Sequence, residues 1–71
     1  METRQKGSLI GKNVKCYRKE KNYTQQQLAD AIFVTQQYIS EIERGNKIPS
    51  FDILDSLAKV FGKDFLEKLF R

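Results

Sequence analysis

Residues 24–45, TQQQLADAIFVTQQYISEIERG, encode two short helices separated by a tight turn. Thr24, with Gln27 three residues later, forms a capping-box pattern in which each side chain satisfies a backbone N–H that the helix leaves without a partner. Thr35 supplies a second N-cap residue, and Gly45 stands where a helix commonly ends in the left-handed conformation. The stretch therefore predicts two consecutive helices, the second over about residues 35–44.

The second helix has a buried apolar side and an exposed polar side. At about 100° per residue, Ile39 and Ile42 define the buried side of this helix. The other side carries amide, hydroxyl and charged groups, those of Gln36, Gln37, Ser40, Glu41 and Arg44. Glutamine is the amide that binds adenine bidentately through N6 and N7, with about 1–3 kcal/mol of discrimination per good pair. An ordinary polar helix surface is the alternative, and it is favoured if the helix is considered without its surroundings.

Composition argues against an enzyme, a metal protein or a membrane protein. The chain of 71 residues allows one small domain, contains Cys16 as its single cysteine, and has no histidine. A disulfide within the chain is excluded, which fits a reducing cytoplasm, and neither a zinc site nor a catalytic constellation is evident. The longest apolar run covers only residues 31–34, and no secretory signal is present. We therefore expect a cytoplasmic protein without a cofactor or an evident small-molecule ligand.

The charge is distributed unevenly along the chain. Its formal net charge is +4, and residues 1–21 hold seven basic residues against two acidic ones. A basic segment of this kind suits a polyanionic partner, although many solvated helices are equally basic. We expect residues 1–7 to form a flexible arm, in which Arg4 and Lys6 either touch phosphates or are simply solvated.

The remaining sequence predicts three further helices. Apolar residues recur at helical spacing from about Ser8 to Lys21, where Asn22 marks the helix end. Ser50 caps a fourth helix, and a last short helix follows Gly62. No segment alternates with a period of two, so no strand is expected. The prediction is an all-α fold with five helices in one domain over residues 8–71.

The chain resembles the Cro and lambdoid-repressor family of helix-turn-helix domains, also called the xenobiotic-response-element type. The blocks that carry the resemblance are IGKNVKCYRKEKNYTQQQLADAI, VTQQYISEIERG and IPSFDILDSLAKVFG, which together span most of residues 10–70. In this family the second helix of the motif lies in the major groove, and dimers read two half-sites. The resemblance implies a lambda-repressor-like domain with its motif at about residues 25–44. It also implies a bacterial or phage-encoded regulator, in the first place a repressor, that binds palindromic double-stranded operator DNA at the nucleoid as a homodimer.

The resemblance also implies roles for individual residues. Gln25 opens the first motif helix and would hold a phosphate, whereas Gln36 and Gln37, which follow Thr35, would reach base edges. Contacts to the DNA backbone or the groove walls would come from the rest of the second helix and the loop after it, namely Tyr38, Ser40, Arg44, Asn46 and Lys47. Ordinary solvated charges are the alternative for Arg44 and Lys47. Arg18 and Glu43 match the positions of a buried ion pair that ties the first helix to the third.

Two residues depart from the family pattern. The turn position before Val34 is usually glycine because it often needs a positive φ, and here it is Phe33. A left-handed aromatic residue would be strained by about 1–2 kcal/mol, so either the turn differs or Phe33 gains something by packing. Glu41 would repel phosphates unless it accepts a hydrogen bond from cytosine N4. A solvated carboxylate at the groove edge is the alternative for Glu41.

The C-terminal aromatic and aliphatic residues suggest a surface for self-association. We expect a domain of this size to leave some of them exposed, and the candidates for a dimer interface are Phe51, Leu66, Leu69 and Phe70. A different class of function stays open beside DNA-binding regulation. The chain could be an antitoxin or a restriction–modification controller type of module that acts partly through protein–protein interaction.

Overall fold

The computed structural model describes the backbone of residues 2–69 and the side chains of residues 9–68. Within this range the regular structure is entirely helical, and the helices are α1 (Glu2–Glu20), α2 (Gln25–Ala31), α3 (Gln36–Glu43), α4 (Phe51–Phe61) and α5 (Lys63–Leu69). The predicted all-α fold with five helices is confirmed. Helix α1 begins at Glu2 rather than near Ser8, because little in residues 2–7 other than Gly7 opposes a helix. The flexible arm and the domain boundary at residue 8 stay predictions.

Helices α2, α3 and α4 begin directly after the residues whose side chains were expected to cap them. Thr24 Oγ1 accepts a hydrogen bond from the amide of Gln27 at 3.0 Å, and Gln27 Oε1 accepts one from the amide of Thr24 at 2.8 Å. Thr35 caps α3 through the amide of Tyr38 at 3.1 Å, and Ser50 caps α4. Each cap supplies an acceptor to an N–H that has no partner within its helix. The start of α3, on which the functional argument depends, is therefore fixed locally.

The first three helices end in the same way, with one left-handed residue. This residue is Asn22 after α1 (φ 61°), Phe33 after α2 (φ 62°) and Gly45 after α3 (φ 83°). The amide of the following residue donates to the carbonyl five positions earlier, at 2.9 to 3.1 Å, as in a Schellman motif. Asparagine and glycine suit this conformation, whereas phenylalanine does not. Phe33 therefore keeps the geometry of the usual glycine, and its side chain is 95% exposed, so packing does not compensate the strain.

The core lies where α1, α2 and α3 meet α4 and α5. Its fully buried members come from all five helices, and they are Val14, Leu28, Ala29, Ile39, Ile42, Leu57 and Phe65. Next to them Tyr17, Phe61 and Phe65 form an aromatic cluster with ring centroids 5.1 to 5.6 Å apart. The tilted and edge-on geometry of these pairs is the favourable one for aromatic rings. The cluster holds the C-terminal helices against α1.

Gly11 marks the place where α1 crosses α3. A Cβ atom added at Gly11 would overlap the carbonyl oxygen of Ile42 and lie 2.8 Å from the carbonyl oxygen of Glu43. A real Cβ atom cannot approach backbone oxygens so closely, so the two helices touch through their backbones. Sequence reasoning did not find this role, since a glycine inside a helix otherwise only lowers helix propensity.

Candidate nucleic-acid interface

Helix α3 and the loop after it present one continuous polar surface, which we call the α3 surface. It contains nine of the ten residues expected to contact DNA, Gln25 on α2 being the tenth. Six are exposed, namely Thr35, Gln36, Gln37, Arg44, Asn46 and Lys47, and three are half-buried, namely Tyr38, Ser40 and Glu41. Ile39 and Ile42 on the opposite side of α3 are fully buried. The predicted division of the helix into a buried and a polar side is therefore present in the structure.

The middle of the α3 surface is a shallow pocket with mixed chemistry. Thr35, Gln37, Tyr38, Glu41 and Lys47 line it. Lys47 Nζ lies 5.8 Å from the centroid of the Tyr38 ring, within the range of a cation–π contact. The pocket thus places an amide, a carboxylate and an ammonium group side by side at the surface.

Glu41 is held in place by the loop after the helix. Its side-chain Oε1 accepts a hydrogen bond from Asn46 Nδ2 at 2.9 Å, and its backbone carbonyl accepts one from the backbone N–H of Asn46, also at 2.9 Å. The residue as a whole is half-buried, and the side-chain hydrogen bond lies at the exposed surface. Asn46 thus orients the carboxylate, while both interpretations of Glu41, a contact to cytosine and a solvated carboxylate at the groove edge, stay predictions.

Arg18 and Glu43 form the ion pair that the resemblance implied. Arg18 Nε donates to Glu43 Oε2 at 2.7 Å, and Arg18 Nη2 donates to Glu43 Oε1 at 3.1 Å. Their side chains are 10% and 4% exposed, and Arg18 Nη1 also donates to the carbonyl of Tyr23 at 2.8 Å. This paired, two-point geometry is the strong form of an arginine–carboxylate contact. It joins α1 to the C-terminal end of α3.

A chain of hydrogen bonds continues from this ion pair to the start of α3. Gln25 Nε2 donates to Glu43 Oε1 at 3.0 Å, and Gln36 Nε2 donates to Gln25 Oε1 at 2.5 Å. Gln25 is half-buried between them. The sequence had suggested only a phosphate contact for Gln25, and nothing in its helical pattern reveals these links to residues 18 and 11 positions away.

The candidate dimer surface is described only in part. Phe51 is 74% exposed, and Leu66 lines an open groove between α4 and α5 together with Ala58, Lys59 and Lys63. The side chain of Leu69 and all of Phe70 lie outside the described residues.

Two searches of the described chain bear on other classes of protein. Between residues 2 and 69 no helix combines the length and the apolar character that a membrane span needs. The side chains described in the structure include no group of three or more histidine, cysteine or acidic residues placed to hold a metal ion.

Comparison with known proteins gives consistent relatives. A family model described as Helix-turn-helix matches residues 14–68. The uncharacterized HTH-type transcriptional regulator YazB of Bacillus subtilis (strain 168) is 40% identical over 52 residues, which cover 73% of this chain and 75% of YazB. The immunity repressor protein of Bacillus phage phi105 is 36% identical over 53 residues, which cover 75% of this chain but 37% of the repressor. The crystal structure of the clp gene regulator ClgR from Corynebacterium glutamicum superposes with a TM-score of 0.81 at 31% identity, covering 92% of this chain and 72% of that chain.

Proposed function

Since this chain belongs to the helix-turn-helix family of transcriptional regulators, of the Cro and repressor type, we propose that it is a sequence-specific repressor that binds a palindromic operator as a homodimer. The family is one of DNA-binding regulators and not of enzymes. The observation that carries the proposal is the exposed, capped start of α3, where Gln36 and Gln37 stand free of the core. The protein would act on nucleoid DNA in the bacterial cytoplasm.

The α3 surface suits the major groove in both its shape and its chemistry. The N-terminal end of a recognition helix meets base edges, and at this end α3 presents two adjacent amides. Arg44 and Lys47 lie at and beyond the other end, where cations favour contact with the sugar–phosphate backbone. Ser40 and Tyr38 lie between these two groups and would line the groove walls.

Glu41 would add a preference for cytosine. Asn46 engages Oε1 of Glu41, while no donor within the described part of the chain engages Oε2. A carboxylate held in this way accepts a hydrogen bond from cytosine N4, and it repels a misplaced phosphate. Glu41 would therefore favour one register on the DNA as well as one base.

The homodimer would form through α4 and α5. Phe51 projects into solvent at the start of α4, and Leu66 lines the α4–α5 groove, where a second copy would present the same residues in an isologous contact. Leu69 and Phe70 remain candidates by their position in the sequence. Analytical ultracentrifugation should show dimers on operator DNA that spans two half-sites. Monomers alone, both free and on that DNA, would refute this part of the proposal.

Selection of binding sites from random duplex DNA tests the main proposal. The parent protein should enrich a two-fold symmetric consensus in which each half-site contains adenine. The matched control is the Gln36→Ala/Gln37→Ala double variant, which should keep its helical circular dichroism but lose the enrichment. If the folded parent enriches no sequence at moderate salt, the proposal is wrong, and a module that acts through protein–protein contacts becomes the better description.

A further inference from the structure

Glu43, at the buried end of this chain of hydrogen bonds, can act only as an acceptor. Both oxygens of Glu43 accept hydrogen bonds from the guanidinium group of Arg18, and Glu43 is almost completely buried. A carboxylate beside a guanidinium group offers only acceptors. Any further partner of Glu43 must therefore be a donor.

The acceptor character of Glu43 determines which end of the Gln25 side-chain amide faces it. That amide can meet Glu43 only through the NH₂ group, and it does so at 3.0 Å. The carbonyl oxygen of the same amide is then turned toward α3, where it accepts from Gln36 Nε2. An amide that is free to rotate would expose either end, but Gln25 has its orientation set by the residue behind it.

The side-chain amide of Gln36 keeps one donor and one acceptor for a ligand. One N–H of its amide is engaged by Gln25, so the other N–H and the carbonyl oxygen remain to face a ligand. Adenine presents one donor and one acceptor in the major groove, N6–H and N7, whereas guanine presents two acceptors, N7 and O6. The remaining groups of Gln36 match adenine and do not match guanine.

We propose that the Glu43 carboxylate, acting through Gln25, sets the direction in which Gln36 presents its amide and so makes Gln36 select adenine over guanine. Glu43 and Gln25 are then positioning residues for base recognition, in addition to the structural role of the ion pair. This inference rests on the proposed DNA-binding function and names residues that set its specificity.

The decisive substitution is Glu43→Gln, which replaces a pure acceptor with an amide. An NH₂ group at the Oε1 position donates to Gln25 but faces the N–H of Arg18 Nη2, whereas an NH₂ group at the Oε2 position faces the N–H of Arg18 Nε and leaves the oxygen to accept from Gln25. In the first arrangement Gln25 turns its own NH₂ group toward Gln36, which then accepts with its oxygen and presents two N–H donors, the pair that matches guanine. In the second arrangement Gln25 keeps its orientation, so the direction of the Gln36 amide is no longer fixed and its preference for adenine should weaken.

The measurement is the ratio of affinities for operators that carry adenine or guanine at the position read by Gln36. A good bidentate pair corresponds to a preference of about 5- to 150-fold, and in E43Q this ratio should fall toward parity. A purely structural role of Glu43 would reduce affinity for both operators by the same factor and leave the ratio unchanged. The matched control is Gln26→Leu, which removes an amide bonded only to Asp30 on the exposed side of α2 and should leave the ratio unchanged.

A second variant tests the orienting role of Glu43 if E43Q is not folded. Arg18→Met/Glu43→Leu removes both charges together, so no unpaired charge is left in the core, and folding is checked by circular dichroism. The amide of Gln25 is then free to turn, and the adenine-to-guanine ratio should fall toward parity without reversing. An unchanged ratio in either folded variant overturns the inference while leaving DNA binding intact. A folded parent that enriches no sequence overturns the proposed function instead.

Discussion

Replacing Arg18 with methionine should destabilise the domain strongly, because it leaves the Glu43 carboxylate buried without its cation. The substitution removes the two hydrogen bonds between the guanidinium group and Glu43, and a third to the carbonyl of Tyr23. Glu43 is 4% exposed, so water does not replace the lost donors. Gln25 Nε2 is then the remaining donor among the contacts described above.

The expected loss is a large part of the total stability. Breaking a buried pair by removing one partner costs about 3–5 kcal/mol. A domain of 71 residues, at about 0.05–0.15 kcal/mol per residue, has a total free energy of unfolding of about 4–11 kcal/mol. Arg18→Met should therefore be marginally folded or unfolded at 25 °C. The double variant Arg18→Met/Glu43→Leu should recover most of the loss, since no unpaired charge remains.

Urea denaturation followed by circular dichroism measures these differences. Lys59→Ala provides the control, because Lys59 and Asp55 form a solvent-exposed pair at 3.5 Å with side chains 78% and 51% exposed. Such a pair contributes about 0–1 kcal/mol. If Arg18→Met unfolds at nearly the same urea concentration as Lys59→Ala, the ion pair does not stabilise the core and the reasoning is wrong.

Phe33→Gly should raise the melting temperature by a few degrees, because the relief of about 1–2 kcal/mol of left-handed strain exceeds the entropic cost of glycine, about 0.5–1 kcal/mol, and the exposed ring loses no packing. Phe33→Ala is the control for loss of the ring alone, and a fall of many degrees in the glycine variant would show that the ring packs in the core. Gly11→Ala should lower the free energy of unfolding by about 1–3 kcal/mol or more, because the added methyl group overlaps backbone oxygens of α3. An unchanged urea midpoint would mean that α1 and α3 are further apart than described. Gln37→Ala should cost about 1–3 kcal/mol on the operator and little on scrambled DNA, and equal losses on both would show that Gln37 holds the backbone. Lys47→Ala should weaken both DNAs alike and reduce the salt slope by about one unit per monomer, whereas a loss confined to the operator would indicate base contact.

Local signals were sufficient to predict most of the fold. Thr24, Thr35 and Ser50 cap helices as expected, because N-capping depends on residues only three positions apart. The start of α1 was placed too late, because residues 2–7 contain no apolar residue whose spacing would indicate a helix. Asn22 and Gly45 end helices as expected. For Phe33 the sequence left two alternatives, a different turn or a gain from packing, and the structure contradicts both, because Phe33 has a positive φ and is exposed.

The links between helices were harder to predict. The ion pair of Arg18 and Glu43 came from the family resemblance and is confirmed. The contacts of Gln25 with Glu43 and Gln36 were missed, because helical periodicity places residues on faces but does not say which faces meet. Gly11 was missed for the same reason. The roles assigned to the α3 surface remain predictions until DNA binding is measured.

The backbone contact at Gly11 limits how this regulator can acquire new targets. At the point where Gly11 meets the carbonyl oxygens of Ile42 and Glu43, no side chain separates α1 from α3, so nothing there repacks to tilt or shift α3 by a small amount. Under the proposed function, a change of operator should therefore come from substitutions on the outer side of α3 and not from small changes in the direction of the helix. Substitutions at Gln37, Ser40 or Glu41 leave the crossing untouched, so divergence between descendants should accumulate there while position 11 stays glycine.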